Sequence, residues 1–449
     1  MIRVEKHHIK PDCPFFAEAD DLCFRSKNLY NLALYEQRQR FFEVGTVFSY
    51  EQLDVRLKTS DAYRGLPAKV SQQVLKQVCQ DWTSYFAAAA EYARDRDKFL
   101  AEPKIPKYKP KATGRNVVVY TIQAVSRKAL KRGVIHPSQT TLSVPTRIPR
   151  THIQQVRLVP KLNSYVLEVV YELPDVKENT SSNRIVGIDL GIENLATIAS
   201  NCPELKPVLV NGRPVKGLNA RYNQHKARLQ SQLPKDQATS TQIKILTARR
   251  NRRIENALHQ SSRMIVNLCL QYRIDTVVIG KNDLWKQNVT LGSVVNQQFT
   301  AIPHARLIEL LTYKCQSVGI KVVTIEESYT SKCSFLDGEA VEKQARYAGK
   351  RIHRGLFRTG RGLLLNADVN AALNLINKAV PDAFGPGPEA GGHGMADWVV
   401  NPVRVTPFGK AVSGTSKREA TCEHQLYGSV SQARPPVPIL GLGTRVCQI

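Results

Sequence analysis

The sequence predicts a multidomain α+β protein, and three observations carry that expectation. Apolar residues recur at three- and four-residue steps over residues 14–100, the spacing of amphipathic helices. From 116 to 174 the pattern changes to short apolar runs, "VVVYTI", "TTLSVPT", "IQQVRLV" and "YVLEVVYEL", separated by turn residues as strands are. From 183 to 380 strand-like and helix-like segments alternate, the mark of an α/β domain.

In chain order, "LCFRSKNLYNLALYEQRQRFF" and "LPAKVSQQVLKQVCQDWTSYFAAAAEYARDR" predict long helices of the kind that build a helical recognition domain. The segment "EPKIPKYKPKATGR", residues 102–115, follows. Proline breaks regular structure there, and Lys104, Lys107, Lys109, Lys111 and Arg115 surround Tyr108. Such a segment is either a solvated linker or a loop that tracks a nucleic-acid backbone. The β-rich stretch implies a small barrel or an open sheet whose first strand lies near the N-terminus. "DVKENTSSN", residues 175–183, reads as a linker. Next come strands at "RIVGIDLG", "LATIAS" and "PVLVNG", a long helical stretch, strand "DTVVIG", helix "AIPHARLIELLTYKCQSVG", strand "KVVTIEE" and helix "ADVNAALNLINKAV". That is the element order of an RNase H-like fold. After 381, "FGPGPEAGGHG" and "SQARPPVPILGLG" predict a flexible tail without a packed core.

The chain has 449 residues, enough for two or three domains. A net charge of +26 makes a polyanion the expected partner, nucleic acid before an anionic membrane. The charge is uneven: residues 213–263 hold twelve Lys or Arg against two acids, whereas the stretch after 380 holds six bases against five acids. Within the basic run, Arg249, Arg250, Arg252 and Arg253 of "TARRNRR" are the expected phosphate contacts, together with the four lysines of 104–111. No apolar stretch approaches a bilayer span, and "MIRVEKHHIK" lacks the apolar run of a signal peptide, so a cytoplasmic protein without a membrane partner is expected. The nine cysteines form no CxxC pair, which argues against a disulfide framework and against a cysteine-rich zinc site. No Walker-type glycine loop is present, so nucleotide triphosphate hydrolysis has no support.

Two carboxylates stand out. Asp189 in "VGIDLGIEN" ends an apolar strand and precedes a Gly turn. A carboxylate at the end of a central strand faces a crevice at the sheet edge, where isolated charge is costly unless a cation neutralises it. Asp368 in "LNADVNAALN" opens a helix whose Ala371 and Ala372 permit close approach to a sheet. Taken alone, the Asp189 motif is not specific, because sugar kinases and actin-like ATPases start similarly, and an Asp at a helix start such as Asp368 is usually only a cap. Together with the basic insertion they suit metal-assisted phosphodiester hydrolysis, which needs three or four carboxylates converging on a pair of Mg²⁺.

At these residues the chain resembles TnpB, the family of transposon-encoded RNA-guided nucleases related to type V CRISPR effectors. The likeness rests on "LPAKVSQQVLKQVCQDW", "PKIPKYKP", "VGIDLGIENLAT", "IGKNDLWKQ", "NQQFTAIPHARLIELLTYKCQSVGIKV", "SYTSKCS" and "NADVNAALN", spread over roughly residues 1–406. It implies a first wedge strand in 1–13, a helical recognition domain with basic linker in 14–115, and a β-barrel-like wedge domain and linker in 116–182. It further implies a RuvC-like nuclease domain in 183–380, with a basic helical insertion at 213–263 and a zinc-finger insertion at 330–362, and then the tail from 381 to 449. By the same resemblance Asp189 is the first catalytic carboxylate and Asp368 the third. The implied cofactor is two Mg²⁺ ions, and the implied partners are a guide RNA from the transposon end and double-stranded target DNA beside a short motif.

Two departures from the family pattern matter. The family places a second catalytic Glu directly after the fourth strand, where "VVIGKNDLW" has Gly280. Its paired CxxC motifs are reduced to Cys333, with Leu336 at the partner position and "RGLFRTG" in place of the second pair, so no zinc is expected. In an RNase H-like sheet the fifth strand lies two spacings, about 10 Å, from the first. Glu326 or Glu327, ending "KVVTIEE", is therefore the expected substitute metal ligand. Strand alternation allows only one of them to face inward, and Glu327, nearer the strand end, is favoured. The alternatives are Asp283 or no ligand at all. These expectations describe an RNA-guided DNA endonuclease. A nuclease-inactive RNA-guided DNA-binding protein is the alternative, and a structure-selective resolvase without RNA comes third.

Overall fold

A computed structural model describes residues 1–179, 182–281, 301–385 and 399–408, and the backbone of 445–446. The chain divides into two compact units, Met1–Pro174 and a second within Asp175–Arg434.

The first unit holds strands β1 (Ile2–Ile9), β2 (Val118–Thr121), β3 (Val134–Ile135), β4 (Val144–Pro145), β5 (Ile153–Lys161) and β6 (Ser164–Glu172). Its helices are α1 (Phe16–Val44), α2 (Tyr50–Leu57), α3 (Asp61–Arg64), α4 (Ala68–Arg94) and α5 (Arg127–Lys131). The hydrogen-bonded strand order is β2-β5-β6-β1, and the two-residue strand Arg445–Val446 runs parallel to β1 on its far side. β1 pairs antiparallel with β6 from Ile2↔Glu172 to Ile9↔Tyr165, so the N-terminal strand joins the later β-rich stretch across the helical segment. A hairpin could not do this, because the whole recognition segment lies between the two strands.

α1 buries Leu22, Cys23, Ser26, Leu29, Tyr30, Ala33, Leu34 and Gln37, a stripe at helical spacing. It ends at Gly45, whose φ of 73° is the left-handed conformation that favours glycine at this position. α2 starts in a reciprocal cap, Ser49 with Gln52. The core is apolar and aromatic: fully buried Trp82 sits against Phe41, Tyr85 and Phe86.

The basic segment 102–115 is no free linker. Its prolines remove backbone donors and forbid helix, and the backbone groups of Pro106, Lys109 and Lys111 find partners on α1. Lys27 Nζ donates to Lys111 O at 2.6 Å, and Asn31 both donates to Lys109 O and accepts from Lys109 N at 2.9 Å. Arg38 donates to Pro106 O at 3.2 Å, and its guanidinium lies over the Tyr108 ring. The main chain is thereby fixed while Lys104, Lys107 and Lys111 remain exposed. Lys109 is half-buried over Tyr30, and burial lowers its pKa.

The second unit holds β7 (Ile185–Asp189), β8 (Asn194–Ser200), β9 (Val208–Asn211), α6 (Arg213–Ser231), α7 (Thr241–Gln271), β10 (Thr276–Gly280), α8 (His304–Gln316), β11 (Lys321–Ile325), β12 (Lys350–His353), β13 (Leu356–Arg358), β14 (Leu364–Asn366), α9 (Ala367–Ala379) and β15 (Val403–Val405). The main sheet runs β11-β10-β7-β8-β9-β15. β7, β8 and β9 form an antiparallel meander, and β10 and β11 add in parallel beside β7. This is the order expected from the sequence. The stretch expected to lack a packed core contributes more than that: Val399 and Phe408 are buried and β15 adds in parallel to β9. Among the described residues no helix is long and apolar enough to cross a membrane.

Candidate active site at the end of the central sheet

Side-chain alternation along β7 puts Ile185, Gly187 and Asp189 on one face. That face carries α9: Ile185 and Val278 pack with Leu375 and Ile376, and a Cβ on Gly187 would overlap the Ala372 carbonyl oxygen. The helix backbone therefore rests directly on the strand, as the small residues Ala371 and Ala372 foretold. α9 begins at Asn366, whose side chain accepts from the amides of Asp368 and Val369. Asp368 itself is thus not the cap; its carboxyl is left to other partners.

Gly280 shares the α9 face with Val278, two residues earlier on β10. The parallel register pairs Ile279 with Ile188, so Gly280 stands beside Asp189 on the neighbouring strand, and it pairs with Ile325 on its other side. A Cβ on Gly280 would lie 2.6 Å from Cγ and Oε1 of Glu327. The Glu327 side chain thus fills the space that a residue at 280 would occupy, one strand spacing, about 4.8 Å, from the Asp189 strand. Glu326 points to solvent, and its carbonyl accepts from Lys378. Asp283, the other substitute considered, lies outside the described residues.

The electrostatics match this convergence. Asp189 is raised well above the ordinary carboxylate range, first by desolvation and then by the charges of Asp368 and Glu327, with Arg351 opposing. Glu327 is pushed up to about 7 by burial. Asp368 accepts from Asn194 Nδ2 at 2.8 Å on one oxygen, and its other oxygen lies 3.5 Å from Arg351 of β12. Neither Asn194 nor Arg351 was singled out from sequence. Asn194 stands within "VGIDLGIEN", close to Asp189, whereas Arg351 lies in an insertion and has no local signal.

Among the described residues, no three His, Cys, Asp or Glu side chains are grouped closely enough to hold a metal ion as they stand. The donor chemistry nonetheless fits Mg²⁺. Three carboxylates on one sheet face supply only hard oxygen donors, and their mutual repulsion on Asp189 is the kind of charge excess that a cation relieves. Arg351 lies beside the same carboxylate that would join Asp189 and Glu327 around an ion.

Glu327 also sets a pH dependence. Its folded pKa of about 7 lies above the ordinary value of 4.5, so the folded chain holds more protons than the unfolded chain between these values. Stability in chelator therefore falls as pH rises from 4.5 to about 7, by up to roughly 3 kcal/mol for this group. Denaturant unfolding across that range checks it, and Glu327→Gln is expected to flatten the slope.

The insertion between β11 and α9 carries an apolar centre. Cys333 is buried, and Phe335, Leu336, Phe357 and Leu365 pack together around the three-stranded β12–β13–β14 sheet. Asp337 and Glu339 tie the turns by accepting from Ser334, Gly360 and Ala348.

The basic residues separate by role. Arg250 is half-buried: it donates to Asn219 Oδ1 at 2.8 Å and to Ala301 O at 2.6 Å and lies over Tyr222, joining α7 to α6. It was expected to contact phosphate, but its guanidinium is engaged in tertiary structure. Arg249, Arg252 and Arg253 face solvent.

With the geometry in place, the chain can be set beside known proteins. Residues 168–285 match the OrfB_IS605 family model, a probable transposase, and residues 304–375 match the Cas12f1-like TNB domain. A CRISPR-associated endodeoxyribonuclease Cas12f2 from a Micrarchaeota archaeon is 26% identical over 225 residues, 48% of this chain and 40% of that protein. The chain thus matches less than half the length of that relative. Similar solved structures include a Cas12f1–sgRNA–target DNA complex, at 13% identity and TM-score 0.34, covering 85% of this chain and 100% of that one. The mini-RNA-guided endonuclease CRISPR-Cas_phi3 is similar at 9% identity and TM-score 0.49, covering 85% and 92%. The two matched stretches, 168–285 and 304–375, therefore resemble transposase and Cas12f1-like sequences.

Proposed function

We propose that the chain is an RNA-guided DNA endonuclease that cuts target DNA beside a short motif, using Asp189, Glu327 and Asp368 as metal ligands. One observation carries the reading: Glu327 occupies the space over Gly280, beside Asp189, where the family's usual Glu is missing. Asp189, Glu327 and Asp368 would hold Mg²⁺, which would supply activation of water and stabilisation of the leaving oxygen. The chain's own residues do the rest. Asn194 orients Asp368, Arg351 guards it until the cluster assembles, and α9 excludes water from the sheet face by direct backbone contact. The guide supplies sequence discrimination through base pairing, while the protein reads backbone and flanking motif. Lys104, Lys107, Lys111, Arg249, Arg252 and Arg253 are the exposed cations proposed for backbone contact. The net charge of +26 and the likeness to the endodeoxyribonuclease Cas12f2 support nucleic-acid partners.

The test is cleavage of a target library by the chain co-expressed with its downstream flanking RNA, in Mg²⁺. Asp189→Ala and Glu327→Ala are expected to abolish cutting while retaining guide-dependent binding, and Glu326→Ala to cut normally. Loss in Glu326→Ala with activity in Glu327→Ala would reverse the assignment. A second reading, a guided DNA-binding protein without cutting, is favoured by the Arg351–Asp368 ion pair and the ungrouped carboxylates. Binding without cutting in the unaltered chain would establish it.

A further inference from the structure

α9 carries Asp368 in its first turn, and it carries something else along its length. Asn370, Asn374 and Lys378 fall at i, i+4 and i+8, one above another on a single face. Apart from Asp368 and Asn377 the rest of the helix is apolar, with Val369, Ala371, Ala372, Leu373, Leu375 and Ile376 buried. Asn370 and Asn374 are themselves fully buried, a placement that is costly unless each is hydrogen-bonded.

All three side chains donate to one segment, residues 326–335. Lys378 Nζ reaches Glu326 O at 2.9 Å, Ser328 Oγ at 2.9 Å and Ser328 O at 3.3 Å, holding the backbone on both sides of Glu327. Asn374 Nδ2 reaches Thr330 O and Cys333 O at 2.8 Å. Asn370 donates to Cys333 O at 2.8 Å and accepts from Phe335 N at 3.0 Å. Thr330 closes the turn by donating Oγ1–H and N–H to Glu327 O. The segment leaves β11 at Ile325, so no ladder continues beside it, and the carbonyls of Glu326, Ser328, Thr330 and Cys333 are met by these side chains.

We propose that this polar stripe positions Glu327, which makes Lys378 and Asn374 positioning residues for the carboxylate cluster; the inference rests on Glu327 being a metal ligand. The physical need is specific to a relocated acid. A Glu on a strand end is aimed by the strand, but a Glu on irregular backbone has to be aimed by something else. Here the same helix that carries Asp368 aims it, so the two carboxylates share one rigid support.

The experiment compares Lys378→Met, Lys378→Arg, Asn374→Leu and Glu327→Gln in the full-length chain. Mn²⁺ binding is measured without nucleic acid, and cleavage with guide RNA is measured against Mg²⁺ and target concentration. Lys378→Met is expected to weaken Mn²⁺ binding by about 10–100-fold. Its kcat should fall with the target KM unchanged, and its melting temperature should hardly move because Lys378 is partly exposed. Lys378→Arg, which retains the donors, should recover most of the loss. Asn374→Leu should act in the same direction. Wild-type Mn²⁺ binding and kcat in both Lys378→Met and Asn374→Leu, beside a defective Glu327→Gln, would overturn the positioning role and leave the Glu327 assignment intact. Normal behaviour of Glu327→Gln would overturn both.

Discussion

Cleavage lost in Glu327→Gly is expected to return when Gly280→Glu is added. The reasoning is geometric. Glu327 reaches into the volume above Gly280, and the two positions compete for it, since a Cβ at 280 would come within 2.6 Å of Glu327 Cγ. Removing the Glu327 side chain opens that volume, and a Glu at 280 then projects from a strand beside Asp189 on the same sheet face. Glu327→Gly alone should lower the cleavage rate by about a thousandfold or more, roughly 4 kcal/mol of barrier. The double variant should recover a large part of it. Gly280→Ala in the unaltered background provides the converse: the group it strikes is the flexible end of a side chain, so the fold survives while Glu327 is displaced and cutting falls. A double variant that stays inactive, with Gly280→Ala cutting normally, would show that the two positions do not serve one site.

Gly187→Ala is expected to destabilise the second unit by about 3 kcal/mol or more. Here the added methyl strikes the Ala372 carbonyl oxygen, which belongs to helix backbone and cannot rotate aside. Ile376 Cγ1 crowds the same spot from a second direction. Relief requires α9 to lift from β7, which moves Asp368 away from Asp189 and unseats Leu375 and Ile376 from their apolar cluster. Denaturant unfolding measures the loss, and a change under about 1 kcal/mol would mean that helix and strand are less closely seated than described.

Much of this was legible in the sequence. The central strand order followed from the alternation of elements, and Asp189 and Asp368 from their places at a strand end and a helix start. The missing acid at 280 was visible because a glycine stood where the family has a carboxylate. The choice between Glu326 and Glu327 was harder. Alternation governs residues within a strand, but β11 stops at Ile325 and both acids lie beyond it. The backbone on either side of Glu327 is held by Lys378, more than fifty residues later in the chain, a contact that no local pattern encodes. The same holds for Arg250. Nothing in "TARRNRR" distinguishes it from Arg249, and only the arrival of Asn219 and Ala301 beside it does. Likewise β15 is three residues in a Gly- and Pro-rich context, and its partner β9 lies nearly two hundred residues earlier.

The pinning of the basic segment to α1 has an entropic consequence. Fixing one residue's backbone costs roughly 1–2 kcal/mol, and for Pro106, Lys109 and Lys111 the chain meets that cost when it folds, through Arg38, Asn31 and Lys27. At Lys111 and around Lys107 the backbone is thus ordered before any partner arrives, so an anion bound there would have mainly side-chain freedom to quench, and charge and spacing rather than a folding step would set its association.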